Sequence, residues 1–332
     1  MKKKNENILK VFSKISLHYL VLTFLIIVMA ISMSMHSRYF LTITNIEVMV
    51  NTFIMEAIMA LGMTMVIISG GTDISVSGVL PFTAIIFAKL MLQNVPIIVA
   101  MLVALAASGV IGLINNELRR ILKIHPMVVT MAVQLTLRGL NLAITNGSVI
   151  SGFSAGFQKI SEFRLFGLSV PILVYIILAV VFYVFSKNHK SFLSVYFVGG
   201  NKEASAFSGM NTECVLRWVF IINALLAGLA GILSTTVYNS ASYSFGQNAE
   251  MRVITAVAIG GTSLTHGGNG SIAGTLLGTL FMALIYNSFV MSGISTYYQD
   301  VFTGAMLIIA VLLSEGTRIV KEKSFKQALG DS

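Results

Sequence analysis

Few residues in this chain have the type and spacing to do chemistry, and the most conspicuous is a lone carboxylate. Asp73 lies in Gly70-Gly71-Thr72-Asp73-Ile74-Ser75-Val76-Ser77-Gly78, a polar, glycine-rich stretch between two apolar runs. In those surroundings a carboxylate is a functional candidate if it sits at membrane depth, or an N-cap for a helix beginning near Val76 if it sits at an interface. A second stretch, Gly260-Gly261-Thr262-Ser263-Leu264-Thr265-His266-Gly267-Gly268-Asn269-Gly270, also opens with Gly-Gly-Thr after an apolar run ending in isoleucine, and it too leads into an apolar helix. The two hint at an internal repeat. Arg138 falls some 20 Å into its own apolar run at 1.5 Å per residue, where it either reaches the outer interface or lines a path. Glu56 is the remaining ionisable residue inside such a run.

Matches to enzyme motifs fail on context. Gly152-Phe153-Ser154-Ala155-Gly156 fits G-x-S-x-G but sits in a polar loop without a strand-turn-helix setting. Gly268-Asn269-Gly270-Ser271-Ile272-Ala273 fits a relaxed dinucleotide fingerprint but joins apolar segments rather than a strand and a soluble helix. No G-x-x-x-x-G-K-[ST] occurs, so the chain carries no P-loop. Cys214 is the single cysteine, which excludes an intrachain disulfide, and His18, His36, His125, His189 and His266 show no ligand spacing. The sequence thus predicts no catalytic residue and no metal ligand.

The elements that must position these residues are set by composition. Of 332 residues 56% are hydrophobic and 11% charged, with a formal net charge of +9; a soluble domain carries roughly a quarter charged residues. Apolar runs of about 20 residues, each enough to cross a bilayer, recur from Leu17 to Ser314. The positive charge does not indicate nucleic acid, because it segregates between the runs. Lys2, Lys3, Lys4, Lys10 and Lys14 precede the first, Arg318, Lys321, Lys323 and Lys326 follow the last, and Arg119, Arg120, Lys123, Lys187, Lys190, Lys202 and Arg217 mark two internal loops. The positive-inside rule makes all of these cytoplasmic, both termini included. Arg38, Lys159 and Arg164 fall in outer loops, and Lys89 and Arg252 snorkel outward from helix ends. Leu17–Met35 is too long for the apolar core of a signal peptide and has no A-x-A-like site.

The expected fold is all-α: one transmembrane domain over residues 1–332, with an outer loop at 146–167 and a cytoplasmic segment at 187–216. The spans are Leu17–Met35, Ile46–Ser69, Val79–Leu92, Val95–Ile114, Pro126–Thr145, Leu168–Ser186, Trp218–Tyr238, Met251–Ser263, Ile272–Met291 and Tyr298–Leu313, about ten crossings in all. Val79–Leu92 and Met251–Ser263 are short and adjoin the two glycine-rich stretches. They read as broken or re-entrant elements, whose backbone must be buried or line a wet cavity, and such pairs point to a transport path. The alternative is a pair of tight turns at the inner surface. Gly270/Gly274/Gly278, Ser108/Gly112 and Ala224/Gly228 have the four-residue spacing that lets helices approach closely.

Within the cytoplasmic segment, Gly199-Gly200-Asn201-Lys202-Glu203-Ala204-Ser205-Ala206-Phe207-Ser208-Gly209 reads as a short helix between glycine stops, small on one side. It either docks into a partner's groove or simply connects.

Taken in order, these pieces resemble the permease subunits of ribose-type, binding-protein-dependent ABC sugar importers, a group that also serves autoinducer-2. The resemblance rests on Ala60-Leu61-Gly62-Met63-Thr64 running into Gly70-Gly71-Thr72-Asp73-Ile74-Ser75-Val76, on Pro126-Met127-Val128-Val129-Thr130 with Arg138-Gly139-Leu140, and on Gly199 to Gly209. It continues through Gly260-Gly261-Thr262-Ser263, Gly267-Gly268-Asn269-Gly270-Ser271 with Gly274, and Gly304 to Val311, covering the chain from about Tyr39 to Leu313. Thr72, Ser77 and Ser205 depart from the family pattern.

The resemblance implies a bacterial inner-membrane pore of two permeases, either two copies or this chain with a relative, and no cofactor on this chain. A cytoplasmic ATPase binding ATP and Mg would drive it, and an extracytoplasmic sugar-binding protein would deliver substrate. Gly200, Asn201, Glu203, Ala204, Ala206 and Gly209 would form the coupling helix. Gly70, Gly71, Asp73, Ser75, Thr130, Arg138, Gly260, Gly261, Gly267, Gly268 and Gly270 would line the path or hinge its gate. The rival readings are an ion-coupled secondary transporter or channel, which needs buried ionisable residues, and a membrane-embedded enzyme, for which the sequence offers no nucleophile.

Overall fold

A computed structural model describes residues 17–295 and 297–330, without the side chains of 17, 155, 158, 160, 161 and 317–330. The five N-terminal lysines lie outside the described residues, as do the side chains of Arg318, Lys321, Lys323 and Lys326. The helices that carry the apolar runs are α1 (Leu17–His36), α2 (Ile43–Ile68), α3 (Val76–Leu92), α4 (Ile97–Leu122) and α5 (Pro126–Thr145). The outer loop holds a short α6 (Ala155–Glu162) and a hairpin of β1 (Arg164–Leu165) and β2 (Leu168–Ser169). There follow α7 (Val170–Asn188), α8 (Lys190–Gly200), α9 (Lys202–Phe207), α10 (Thr212–Tyr238), α11 (Ala249–Ile259), α12 (Ile272–Met291) and α13 (Tyr297–Gly330).

The protein is an all-α polytopic bundle. Among the described residues, eight helices are long and apolar enough to cross a membrane, and α3 is a shorter apolar helix. Ends are set by local chemistry: Thr42 accepts from the Asn45 amide to start α2, Ser271 accepts from that of Gly274 to start α12, and prolines open α5 and α7. Three helices run well past the sequence expectation: α4 continues from Ile114 to Leu122, α10 begins at Thr212 rather than Trp218, and α13 continues from Leu313 to Gly330. Hydropathy registers only the apolar part of a helix, whereas the polar ends of α4 and α10 stay helical because their side chains pair with each other beyond it.

α2, α10 and α12 form the buried centre, while α1, α4, α5, α7 and α13 surround them. The outer helices keep apolar faces exposed, such as Phe24, Ile27 and Ile31 on α1 and Ile177, Val180 and Val181 on α7, as expected where lipid is the solvent. Lipid is as apolar as leucine, so association depends on close packing. Two of the predicted small-residue ladders turn out to be each other's partners: a Cβ added at Gly112 of α4 would lie 2.8 Å from Ala224 Cβ of α10, and one at Gly228 of α10 would lie 2.5 Å from Ser108 Oγ of α4. Gly274 and Gly278 of α12 pack on the Gly260 and Ala256 carbonyls of α11. Gly270 precedes α12 and abuts Thr262 instead, so it belongs to the loop.

Gly112→Ala places a methyl 2.5 Å from the Phe220 carbonyl. Thermal unfolding in detergent should record a loss of about 1–3 kcal/mol, the usual cost of overpacking. Gly304→Ala, where a Cβ meets nothing, should unfold like the parent.

Candidate functional site

Both glycine-rich breaks end their helices in the same way. After α2, the Ser69 amide bonds to Met65 O, that of Gly70 to Ile67 O and that of Gly71 to Val66 O; after α11, the amides of Gly260, Gly261 and Thr262 bond to Ala256, Ala258 and Val257. Gly70 has φ +86° and Gly261 φ +90°, the left-handed conformation that glycine adopts without a Cβ clash. The two breaks thus close alike, in the register Gly70 with Gly261, but the same closure ends three other helices at Asn94, Gly209 and Gly293, so it does not by itself make an internal repeat. The two Gly-Gly-Thr triplets suggest Gly70 with Gly260, which occupies the position of Ser69.

Asp73 is fully buried. It does not cap α3, since Ser75 holds the N-cap position and makes no side-chain cap bond. Instead, Oδ1 accepts from the Ser75 amide (2.9 Å) and Ser75 Oγ (2.6 Å), and Oδ2 accepts from Asn223 Nδ2 of α10 (2.9 Å). Asn115 of α4 donates to Ser75 Oγ at 2.7 Å. Thr130 of α5 receives the Ile74 amide at 3.0 Å. Three helices, α4, α5 and α10, thus join the first break in one buried polar knot. Asn115 lies one turn from Arg119 and Asn223 ten residues from Glu213, so the knot sits about 6–15 Å inside the charged rim that those residues mark.

A second polar group adjoins it. Gln134 Nε2 of α5 donates to Ser77 Oγ (2.9 Å) and to Glu250 Oε1 of α11 (3.0 Å), and Asn141 donates to the Gly78 carbonyl (3.1 Å). Arg138, on the same face of α5, is half-buried and donates to the Gly246 carbonyl in the loop before α11. Asn115, Gln134, Asn141, Asn223 and Glu250 were not among the expected site residues. Their signal was present as amides and a carboxylate within or at the end of apolar runs, with Gln134, Arg138 and Asn141 at helical spacing. Glu250 Oε2 is buried without a partner.

Glu56 and Arg252 correct a further expectation. Arg252 does not snorkel outward; its Nε lies 2.5 Å from Glu56 Oε1, joining α11 to α2, with the two side chains 21% and 13% exposed. The pair leaves Glu56 engaged. Lys89 is exposed and donates to the Ile144 carbonyl, tying the end of α3 to that of α5.

At one end of the bundle the cations of both internal loops converge. Arg119 and Lys202 pair with Glu213 at 2.5 and 2.6 Å, and Arg120 and Arg217 pair with Glu117 at 2.6 and 2.9 Å. From this rim projects α9. Asn201 caps it by accepting from the Ala204 amide, and Gly209, with φ +82°, follows its end. Ser205 is its buried residue, while Glu203, Ala204 and Ala206 are exposed and Phe207 is 92% exposed. Gly70, Gly200, Gly267 and Gly268 come together beneath α9 at Gly199. Of the expected path residues, then, Asp73, Ser75 and Thr130 share one knot, the glycines line the two breaks, and Arg138 stands apart on α5, bonded to the loop before α11.

Asp73→Ala strips three donors of their acceptor and should lower thermal stability in detergent by about 1–3 kcal/mol. Asp73→Asn should cost less than about 1 kcal/mol, because the Asn223 amide can turn over and present its otherwise unpartnered Oδ1. Breaking the partly buried pair with Arg252→Ala should cost towards the lower end of about 3–5 kcal/mol, whereas Glu56→Met with Arg252→Met should recover most of it.

Comparison with known proteins follows the same outline. Residues 45–311 match the family described as branched-chain amino acid transport system / permease component. The D-allose transport system permease protein AlsC of Escherichia coli (strain K12) is 32% identical over 290 residues, 87% of this chain and 89% of that protein. The ribose import permease protein RbsC of the same organism is 33% identical over 296 residues, covering 87% and 91%. The autoinducer 2 import system permease protein LsrD of Photorhabdus temperata is 30% identical over 266 residues, covering 78% and 80%. No solved structure matches the chain. A polytopic bundle with paired glycine breaks, matched across most of its length by permeases of this one kind, belongs to the ABC-importer permease family that includes the ribose, allose and autoinducer-2 permeases.

Proposed function

We propose that the chain is the translocation subunit of an importer for a sugar or sugar-like solute in the bacterial cell (inner) membrane, driven by ATP hydrolysis on a separate subunit. The observation that carries this beyond family membership is α9. It is an exposed, small-faced helix at the rim where both cationic loops meet, and it presents Glu203, Ala204, Ala206 and Phe207 outward. A bare Phe207 on a capped, rim-anchored helix suits an apolar groove in a partner. The proposed partner is a cytoplasmic ATP-binding subunit, which would hold the ATP and Mg, and this chain needs no cofactor of its own.

The residues 1–332 act as one permease domain. If α3 and the short α11 count as membrane elements beside the eight long helices, the even total leaves both termini on one side, and the basic rim supports reading that side as cytoplasmic. The pore would be a dimer with a second copy or a related permease, and an extracytoplasmic binding protein would supply the solute. The sugar class comes from the relatives' names. An ion-coupled transporter is disfavoured because Glu56 is tied to Arg252 and Asp73 to three donors. Glu250, with its unpartnered oxygen, is the deep carboxylate through which that rival can be tested.

The test is uptake of radiolabelled ribose, allose and related sugars into proteoliposomes holding the chain alone, or the chain with its cognate ATPase and binding protein. Uptake should require all components and ATP. Ala204→Trp should lower it more than about tenfold, the loss of roughly 1.4 kcal/mol of docking, with the permease still inserted but no longer copurifying with the ATPase. Uptake by the chain alone, driven by an ion gradient and abolished by Glu250→Gln, would instead make it a secondary transporter.

A further inference from the structure

At Ile68, Gly199 and Gly267-Gly268 the coupling segment and the two breaks meet backbone to backbone. The Gly268 amide of the second break donates to the Ile68 carbonyl, the last residue of α2, at 2.7 Å. Gly199, near the end of α8, is wedged into that contact: a Cβ there would overlap the Ile68 carbonyl oxygen and lie 2.7 Å from the Gly268 nitrogen. A Cβ on Gly267 would lie 2.5 Å from the Gly199 oxygen, and one on Gly268 would lie 2.8 Å from Gly200 Cα. Tyr196, one turn earlier on α8, donates to the Gly270 carbonyl at 3.0 Å. The first break joins through Gly70, whose Cβ position is 3.9 Å from Gly199. α8 itself is rooted in the bundle by the buried Phe192, Val195 and Val198.

We propose that this junction of Ile68, Gly199 and Gly267-Gly268 transmits movement of α9 to both breaks at once, with Gly199 and Tyr196 as its positioning residues. Side chains between two elements would absorb a displacement by changing rotamer. Packed backbone has no such freedom and is nearly incompressible. Because α9 continues α8 through the single residue Asn201, a shift of α9 must carry Gly199 with it. Gly199 touches the end of α2 and the second break together, so the breaks cannot respond separately. Small displacements become two-state rearrangements when packed interfaces have discrete arrangements. The proposal rests on the importer reading, and it adds the route by which that machine would open both halves of its path.

The experiment uses the whole complex in proteoliposomes and reads uptake and ATP hydrolysis on the same vesicles. Gly199→Ala should insert, bind the ATPase and hydrolyse ATP, yet lower uptake per ATP by more than about tenfold, as expected where backbone must move to admit a methyl. Tyr196→Phe, which keeps the ring and removes only the bond to Gly270, should lower the same ratio by about threefold to tenfold, the range of one hydrogen bond. It decides the matter alone if Gly199→Ala does not insert. Ser194→Ala, whose hydroxyl bonds only within α8, should keep the parent ratio. A parent-like ratio in Tyr196→Phe and in any inserted Gly199→Ala, including a proportional fall of uptake and hydrolysis, overturns the proposal. Parent uptake that does not depend on ATP would instead overturn the importer reading on which it stands.

Discussion

A peptide group that leaves a helix inside a bilayer finds no water to bond, and that constraint organises this molecule around its two breaks. Each break first closes on its own helix, through the Gly71 amide to Val66 and the Thr262 amide to Val257. Side chains and the other break then take up further groups: the Ile74 amide bonds to Thr130, the Ser75 amide to Asp73, and the Ile68 carbonyl to Gly268. Asp73 and Thr130 therefore have a structural reason to be where they are. They hold an irregular backbone at a depth where nothing else would.

The same constraint explains the glycines that are not in the breaks. Helices that gain little from excluding lipid must touch closely to associate. Close approach then lets polar groups reach across: Gly62 makes room for Asn223, whose amide reaches Asp73, and Gly228 for Ser108. Small residues and buried amides are two parts of one arrangement. An added methyl at Gly62 would meet the Asn223 side chain before it met any hydrocarbon.

The fold was largely legible in the sequence because span length is fixed by the membrane, and Pro126–Thr145 and Ile272–Met291 are the expected spans to the residue. Charge placement was legible for a related reason: the cations read as lying on one side include the four that meet at Glu117 and Glu213. What hydropathy does not carry is who pairs with whom. Glu56 and Arg252 lie 196 residues apart and each looked isolated along the chain. Asp73 looked like a helix cap because the loop it folds, with Ser75, is as short as a cap. The one-residue offset between the two breaks was invisible for a similar reason, since serine at 69 and glycine at 260 both take the ordinary right-handed conformation and only Gly70 and Gly261 need the left-handed one.

The way the polar residues are used bears on what a passing solute would find. Among the described residues, Asp73, Ser75, Thr130 and Gln134 are engaged with neighbouring helices or loops, and their donors are committed. The buried atoms left over near them are mainly acceptors: Asn115 Oδ1, Asn141 Oδ1, Asn223 Oδ1 and Glu250 Oε2. Asn223 Oδ1 is packed against Gly62, which leaves three. These three are walled in by the bundle, so a donor from outside could reach them only after the helices around the breaks had moved apart. In the closed arrangement the side chains that carry them serve packing first: Asn115 and Asn141 each spend a donor on holding a neighbouring element in place, Glu250 accepts from Gln134, and the remaining oxygen of each is what that bond leaves over.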